Sequence, residues 1–129
     1  MRRRTWAIVA VAALVGACAS EVRRHPVELI PAGPDTGTRY RSTAALEFRL
    51  ATGYGRTIPA DTEFAAIGRV APGLVLKPVQ TVLTIEGAHV HEAYAVLADG
   101  RLVGFYLPVE RAYSPLTTPV PWPLIERTR

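Results

Sequence analysis

Thr84-Ile-Glu-Gly-Ala-His-Val-His-Glu-Ala-Tyr-Ala-Val-Leu-Ala-Asp-Gly-Arg-Leu-Val-Gly-Phe-Tyr-Leu-Pro108 is the stretch around which the rest of the chain is arranged. Two runs rich in β-branched and aromatic residues flank Asp99-Gly100, and a two-residue Asp-Gly loop supplies the positive φ angles of a type I′ turn. The pattern predicts one long β-hairpin. With the register fixed by that loop, one face carries Leu97 with Leu102, Ala95 with Gly104, Ala93 with Tyr106, His91 with Pro108 and His89 with Glu110. The other carries Val96 with Val103, Tyr94 with Phe105, Glu92 with Leu107 and Val90 with Val109. Both faces are mostly apolar, which an isolated ribbon does not sustain in water, so other parts of the chain are expected to cover each.

Moving toward the N-terminus, Leu46, Phe48 and Leu50 alternate with Glu47 and Arg49, the pattern of a half-buried strand. Gly53 and Gly55 bracket a turn, and with no helix to follow they do not form a phosphate-cradling loop. Glu63 to Val70 reads as a strand of mixed pattern with a short helix as the alternative; Leu74 to Val79 and Gln80 to Glu86 read as two further strands. The expected fold is all-β, a small antiparallel barrel or sandwich of about six strands. Beyond the hairpin, Ser114 to Ile125 contains four prolines. This run suits either a polyproline II docking segment or, as preferred here, a wrap in which Val120, Trp122, Leu124 and Ile125 cover the second face of the hairpin.

At the other end, Arg2, Arg3 and Arg4 precede the apolar run Ala7 to Val15 and the small residues Gly16 and Ala17, the layout of a secretory signal peptide. The apolar run is too short to span a bilayer as a mature helix. Val15-Gly16-Ala17-Cys18 resembles the bacterial lipobox, with valine where leucine is commoner. The resemblance implies a diacylglycerol on the Cys18 sulfur and cleavage before it. Ala19, rather than aspartate, implies transfer to the outer membrane of a two-membrane host, with the domain facing the periplasm. Three segments are expected: a signal peptide over 1–17, a lipidated N-terminus and flexible tether over 18–43, and a β domain with a proline-rich C-terminal wrap over 44–129. A flexible tether of this length reaches about 25 to 30 Å. Arg23 and Arg24 lie near the anchor, where anionic headgroups are within reach. Val27, Leu29 and Ile30 are apolar enough for part of the tether to lie on the domain.

Cys18 is the only cysteine, so the exported chain has no intramolecular disulfide and its fold rests on hydrophobic burial. The precursor holds 15 basic and 11 acidic residues, and removing the three leader arginines leaves 12 against 11. That balance, with no basic patch interleaved with aromatics, argues against nucleic acid as a partner. Candidate chemistry gathers on His89 and His91, two apart on a strand, with Glu110 opposite His89 in the expected register. Convergent imidazoles and a carboxylate are what a metal wants. The similarity to the cupin His-x-His motif fails, because Ala95 and Val96 stand where that motif carries its glutamate. Glu92, between Val90 and Tyr94, is a candidate buried carboxylate, and Ser42 and Ser114 lack a nucleophile-elbow context.

Two functional classes remain. One is a non-catalytic, lipid-anchored envelope module that needs no cofactor and has an envelope protein or cell-wall glycan as partner. The other is a metal-binding or enzymatic site around His89, His91 and Glu110. Ile85 to Tyr94 and Val103 to Glu110 also resemble a segment of small bacterial lipoproteins without an assigned activity, a resemblance that implies anchoring and no chemistry.

Overall fold

The computed structural model describes residues 20–127, and alternation of inward apolar and outward polar side chains governs most of that span. The strands are β1 (His25–Pro26), β2 (Arg39–Ser42), β3 (Leu46–Arg49), β4 (Gly55–Ile58), β5 (Glu63–Val70), β6 (Gly73–Pro78), β7 (Thr84–Glu86), β8 (Val90–Glu92), β9 (Tyr94–Ala98), β10 (Arg101–Leu107), β11 (Ala112–Pro121) and β12 (Leu124–Arg127). The only helical element among the described residues is a 3-10 turn at Gly33–Asp35. Eight strands form one antiparallel sheet in the order β1-β11-β10-β9-β6-β5-β2-β12, while β3 pairs with β4 and β7 with β8 in two small sheets. The fold is all-β and antiparallel, as expected, and sandwich-like rather than a closed barrel. Its strands outnumber the six expected, because several are only two to four residues long.

At the hairpin turn Asp99 has φ 51° and Gly100 φ 70°, the left-handed values a type I′ turn requires. Leu102 faces Leu97 as expected, but a bulge at Val103 then slips the register by one. Gly104 therefore faces Val96, Phe105 faces Ala95, and Tyr106 faces Tyr94, so the expected Ala95–Gly104 and Tyr94–Phe105 pairs do not form. The hairpin is also shorter than expected. The ladder stops at Ala93, and β8 turns away to pair with β7, with His91 opposite Ile85.

The two faces of the sheet are covered from different ends of the chain. On one side Phe105, Leu107, Ala95, Leu76 and Phe64 join Leu46, Phe48 and Ile58 of the β3–β4 sheet and Ile85 of the β7–β8 sheet in the main core. Phe48 and Phe105 stack at 5.3 Å, and Trp122 meets Phe64 edge to face at 5.1 Å. Polar ties join the two small sheets: Arg56 forms an ion pair with Glu86 and donates to the Thr84 carbonyl and hydroxyl, and Thr52 donates to the Glu86 carbonyl. On the other side Val70, Val75, Val96, Tyr106 and Tyr113 form a second cluster, closed by Val27 and Leu29.

Two expectations change accordingly. The proline-rich C-terminal run does not wrap the second face. It forms β11 and β12, and sends Trp122, Val120 and Leu124 into the main core. Prolines are tolerated in β11 because its other neighbour, β1, spans only His25 and Pro26, so Pro115, Pro119 and Pro121 have no partner on that side. The 18–43 segment, over its described part, is not a free tether. Val22 is buried, Val27 N–H donates to the Arg111 carbonyl, Ile30 and Arg69 exchange backbone hydrogen bonds, and β2 lies inside the main sheet between β5 and β12. Gly68 makes room for the segment at Ile30: a Cβ there would sit 2.5 Å from the Ile30 carbonyl oxygen. Ser42, fully buried on β2, donates to the Ala44 carbonyl and accepts from Trp122 Nε1, which ties β2 to the end of β11. Cys18 and the leader lie outside the described residues. Among the described residues no helix is long and apolar enough to cross a membrane.

Candidate functional site

The chemistry-bearing residues converge where the N-terminal stem meets the β7–β8 hairpin and the turn between β10 and β11. His91 sits on β8 pointing inward opposite Ile85, and is only 7 % exposed. Its Nδ1 lies 2.6 Å from Glu110 Oε1 and its Nε2 3.2 Å from Glu21 Oε1. His89, in the turn before β8, places its Nδ1 2.8 Å from Glu21 Oε2 while remaining 76 % exposed. Glu21 Oε1 also accepts from Val22 N–H, and Arg24 lies 3.7 Å from the same oxygen.

The strands dictate this arrangement. The β7–β8 register turns His91 inward and Val90 and Glu92 outward. The β10–β11 turn, with Arg111 at φ 51°, swings Glu110 toward His91. The stem is held by more than its charge: Ala88 N–H donates to the Ser20 carbonyl, and Val22 packs into the main core. Gly87 is the point of closest approach, since a Cβ there would stand 2.6 Å from Ser20 O and 2.8 Å from Val22 N.

Electrostatics follow the contacts. Hydrogen bonds from His89 and then His91 hold the Glu21 carboxyl down at about 2, below its ordinary 4.5. At Glu110, burial pushes the carboxyl up, but the His91 hydrogen bond, a backbone hydrogen bond and the nearby charges of His91 and Arg24 outweigh it and leave a net lowering. A neutral imidazole has one N–H to donate, whereas the cation has two, so only the cation satisfies both of His91's carboxylates at once. Glu110 Oε2 is buried without a hydrogen-bond partner.

The expected partnership of His89, His91 and Glu110 is thus partly realised. Glu110 and His91 are bonded, but His89 turns to Glu21 instead of Glu110. Among the described residues no group of three or more His, Cys, Asp or Glu side chains is placed to hold a metal ion. Each imidazole nitrogen near a carboxylate is engaged by it, which suits ion-paired hydrogen bonding rather than ligation. Glu92 is exposed on β8, so the expectation of a buried carboxylate there is corrected. The hydroxyl of Ser42 is spent on Ala44 and Trp122, and Ser114 lies buried on β11, so neither serine meets the histidines.

Glu21 is the residue that sequence reasoning missed. It lies 68 and 70 positions from its histidines, inside a stretch whose prolines and glycines read as linker. Its only local signal was proximity to the arginines. No protein family, curated protein or solved structure matches this chain.

Proposed function

We propose that this chain is a lipid-anchored module of the bacterial envelope, held by Cys18 and serving a binding or structural role toward an envelope protein or cell-wall glycan rather than catalysis. The observation that carries this reading is the clamp on Glu21. Three residues beyond the lipobox cysteine, two histidines grip its carboxylate while Val22 anchors the stem in the core. The cluster commits both nitrogens of His91 and Nδ1 of His89 to carboxylates, and it fixes the point from which an anchor would leave the domain. Two acyl chains, at about 0.8 kcal/mol per buried methylene, hold a soluble domain firmly to a bilayer where one chain holds it marginally. With Ala19 after the cysteine, a host with two membranes places it on the inner leaflet of the outer membrane.

Cys18→Ser tests this reading. The native chain should incorporate labelled palmitate and fractionate with outer membranes, and the variant should do neither. A variant that is processed normally and stays membrane-bound would contradict it. The second reading, a metal or enzymatic site at His89, His91 and Glu110, draws on one observation, the unpartnered buried Glu110 Oε2. One equivalent of zinc in chelator-free protein, lost in His91→Gln, would put that reading first; the expected content is none.

A further inference from the structure

Covalent geometry keeps Cys18 within about 7 Å of Ser20, whatever the conformation between them. Ser20 is itself fastened to the tip of the β7–β8 hairpin, through the hydrogen bond from Ala88 N–H and the contact at Gly87. A domain on so short a stem is pressed against whatever surface holds the anchor, and the residues around Ser20 choose which face is presented.

Those residues have a consistent chemistry. Val90, beside the tip, is 67 % exposed, and Val109, in the turn that delivers Glu110 to His91, is 79 % exposed. Such side chains gain when buried at a headgroup boundary. Arg23 and Arg24 follow the clamp directly, and Arg111 follows Glu110; all three are exposed. Glu21 and Glu110, which lie among them, are hydrogen-bonded to His89 and His91, so the guanidinium groups and the two valines are what this end offers to a phosphate-bearing surface. Glu92 also points outward, two residues from Val90 on β8, and Glu28 lines a groove with Arg111, so the arginines and valines meet the surface between carboxylates rather than as a uniformly basic patch.

We infer that this face, formed by Val90, Val109, Arg23, Arg24 and Arg111 around Ser20, lies on the anionic lipid surface to which Cys18 is attached. The inference rests on the lipid-anchor reading and adds an orientation to it: valines at the headgroup boundary, arginines on lipid phosphates, and the Asp99-Gly100 turn at the far end of β10 directed away from the membrane. Each basic residue near an anionic leaflet contributes about 1 kcal/mol, so the arginines supplement the acyl chains and their main effect is orientation.

The test uses the mature lipoprotein purified from membranes and reconstituted into vesicles of phosphatidylglycerol and phosphatidylethanolamine. Acylation occupies the Cys18 sulfur, so a single added cysteine is the only reactive thiol. Val90→Cys and Val109→Cys carry a fluorophore at the proposed face. Thr118→Cys, exposed near the far end of β11 and about 20 Å along that strand from Arg111, is the control. Nitroxide-bearing lipid should quench the labels at 90 and 109 severalfold more than the label at 118. The difference should shrink with Arg23→Glu plus Arg24→Glu, and in vesicles of phosphatidylcholine alone. Equal quenching at all three positions on vesicle-bound protein overturns the orientation while leaving the anchor intact. A free Cys18 thiol that takes up the fluorophore, on protein that does not float with vesicles, overturns the anchor and the orientation together.

Discussion

Gly104 offers a sharp test of the packing between β10 and β11. A Cβ built on it would lie 2.5 Å from the Ser114 carbonyl oxygen and 2.5 Å from the Tyr113 hydroxyl. Comfortable separations are about 3.5 Å or more, so Gly104→Ala needs a shift of about 1 Å. The Ser114 oxygen belongs to the backbone of the paired strand and yields little. The Tyr113 hydroxyl donates to the Val103 carbonyl at 3.0 Å, and moving it sacrifices that bond, worth about 1 kcal/mol. Overpacking itself costs about 1 to 3 kcal/mol, while the lower chain entropy of unfolded alanine returns about 0.5 kcal/mol. The expected net loss is about 2 to 3 kcal/mol, and Gly104→Val should lose more despite valine's preference for strands. Gly55 is the internal control, since a Cβ there meets nothing within 4 Å and its φ is not left-handed. Gly55→Ala should leave stability within about 1 kcal/mol of the native chain. Urea unfolding monitored by Trp122 fluorescence gives the midpoints, and an unchanged slope would show that stability alone has moved. If Gly104→Ala unfolds at the native midpoint, the close approach of β11 is wrong.

Other outcomes follow from the same contacts. Phe105→Ala, which removes a fully buried ring stacked on Phe48, should cost about 3 to 5 kcal/mol and lower the melting temperature by about 10 °C or more. His91→Ala should destabilise by about 1 to 3 kcal/mol, because it strands the Glu110 carboxylate in a half-buried site, whereas His89→Ala, at an exposed position, should be nearly silent; equal effects would refute the clamp. Acid should loosen the stem. The folded-state carboxyls of Glu21 and Glu110 lie below their ordinary 4.5, so the unfolded chain binds more protons in that window. Their stabilisation is therefore complete above about pH 4.5 and is lost as the pH falls toward 2, the folded value for Glu21. Glu21→Gln should flatten that limb of a pH–stability curve, and an identical curve would remove Glu21 from the account.

The parts of the fold that a short sequence window specifies were legible. Asp99-Gly100 forms its expected turn, and the alternation of Leu46 and Phe48 with Glu47 and Arg49 gives β3. The Val103 bulge left no trace, because both faces of the hairpin are apolar and a one-residue slip exchanges one apolar side chain for another. Arg39 to Ser42 read as linker because two arginines and a serine hide a strand. Its inward residues are Tyr40, packed against the main core, and Ser42, whose burial is offset by Trp122 and Ala44 some distance away in sequence or around a turn. The proline-rich run read as a wrap because proline ordinarily excludes a strand, and only the two-residue length of β1 leaves its missing N–H groups without consequence. At the candidate site, His91 and Glu110 were recognisable as residue types, but their pairing depended on the β10–β11 turn. Glu21 joined them through a fold-back of the stem that no local pattern encodes.

The proposed anchor is a lipid on Cys18 that holds the domain to a membrane by a short, clamped stem. Intact-mass measurement of the chain extracted from bacterial envelopes addresses it most directly. The expected species lacks residues 1–17 and is heavier by a diacylglyceryl group, with the added mass mapping to the N-terminal fragment that begins at Cys18. An abundant mature species whose Cys18 is unmodified, or cleavage at a site beyond it, would contradict that claim.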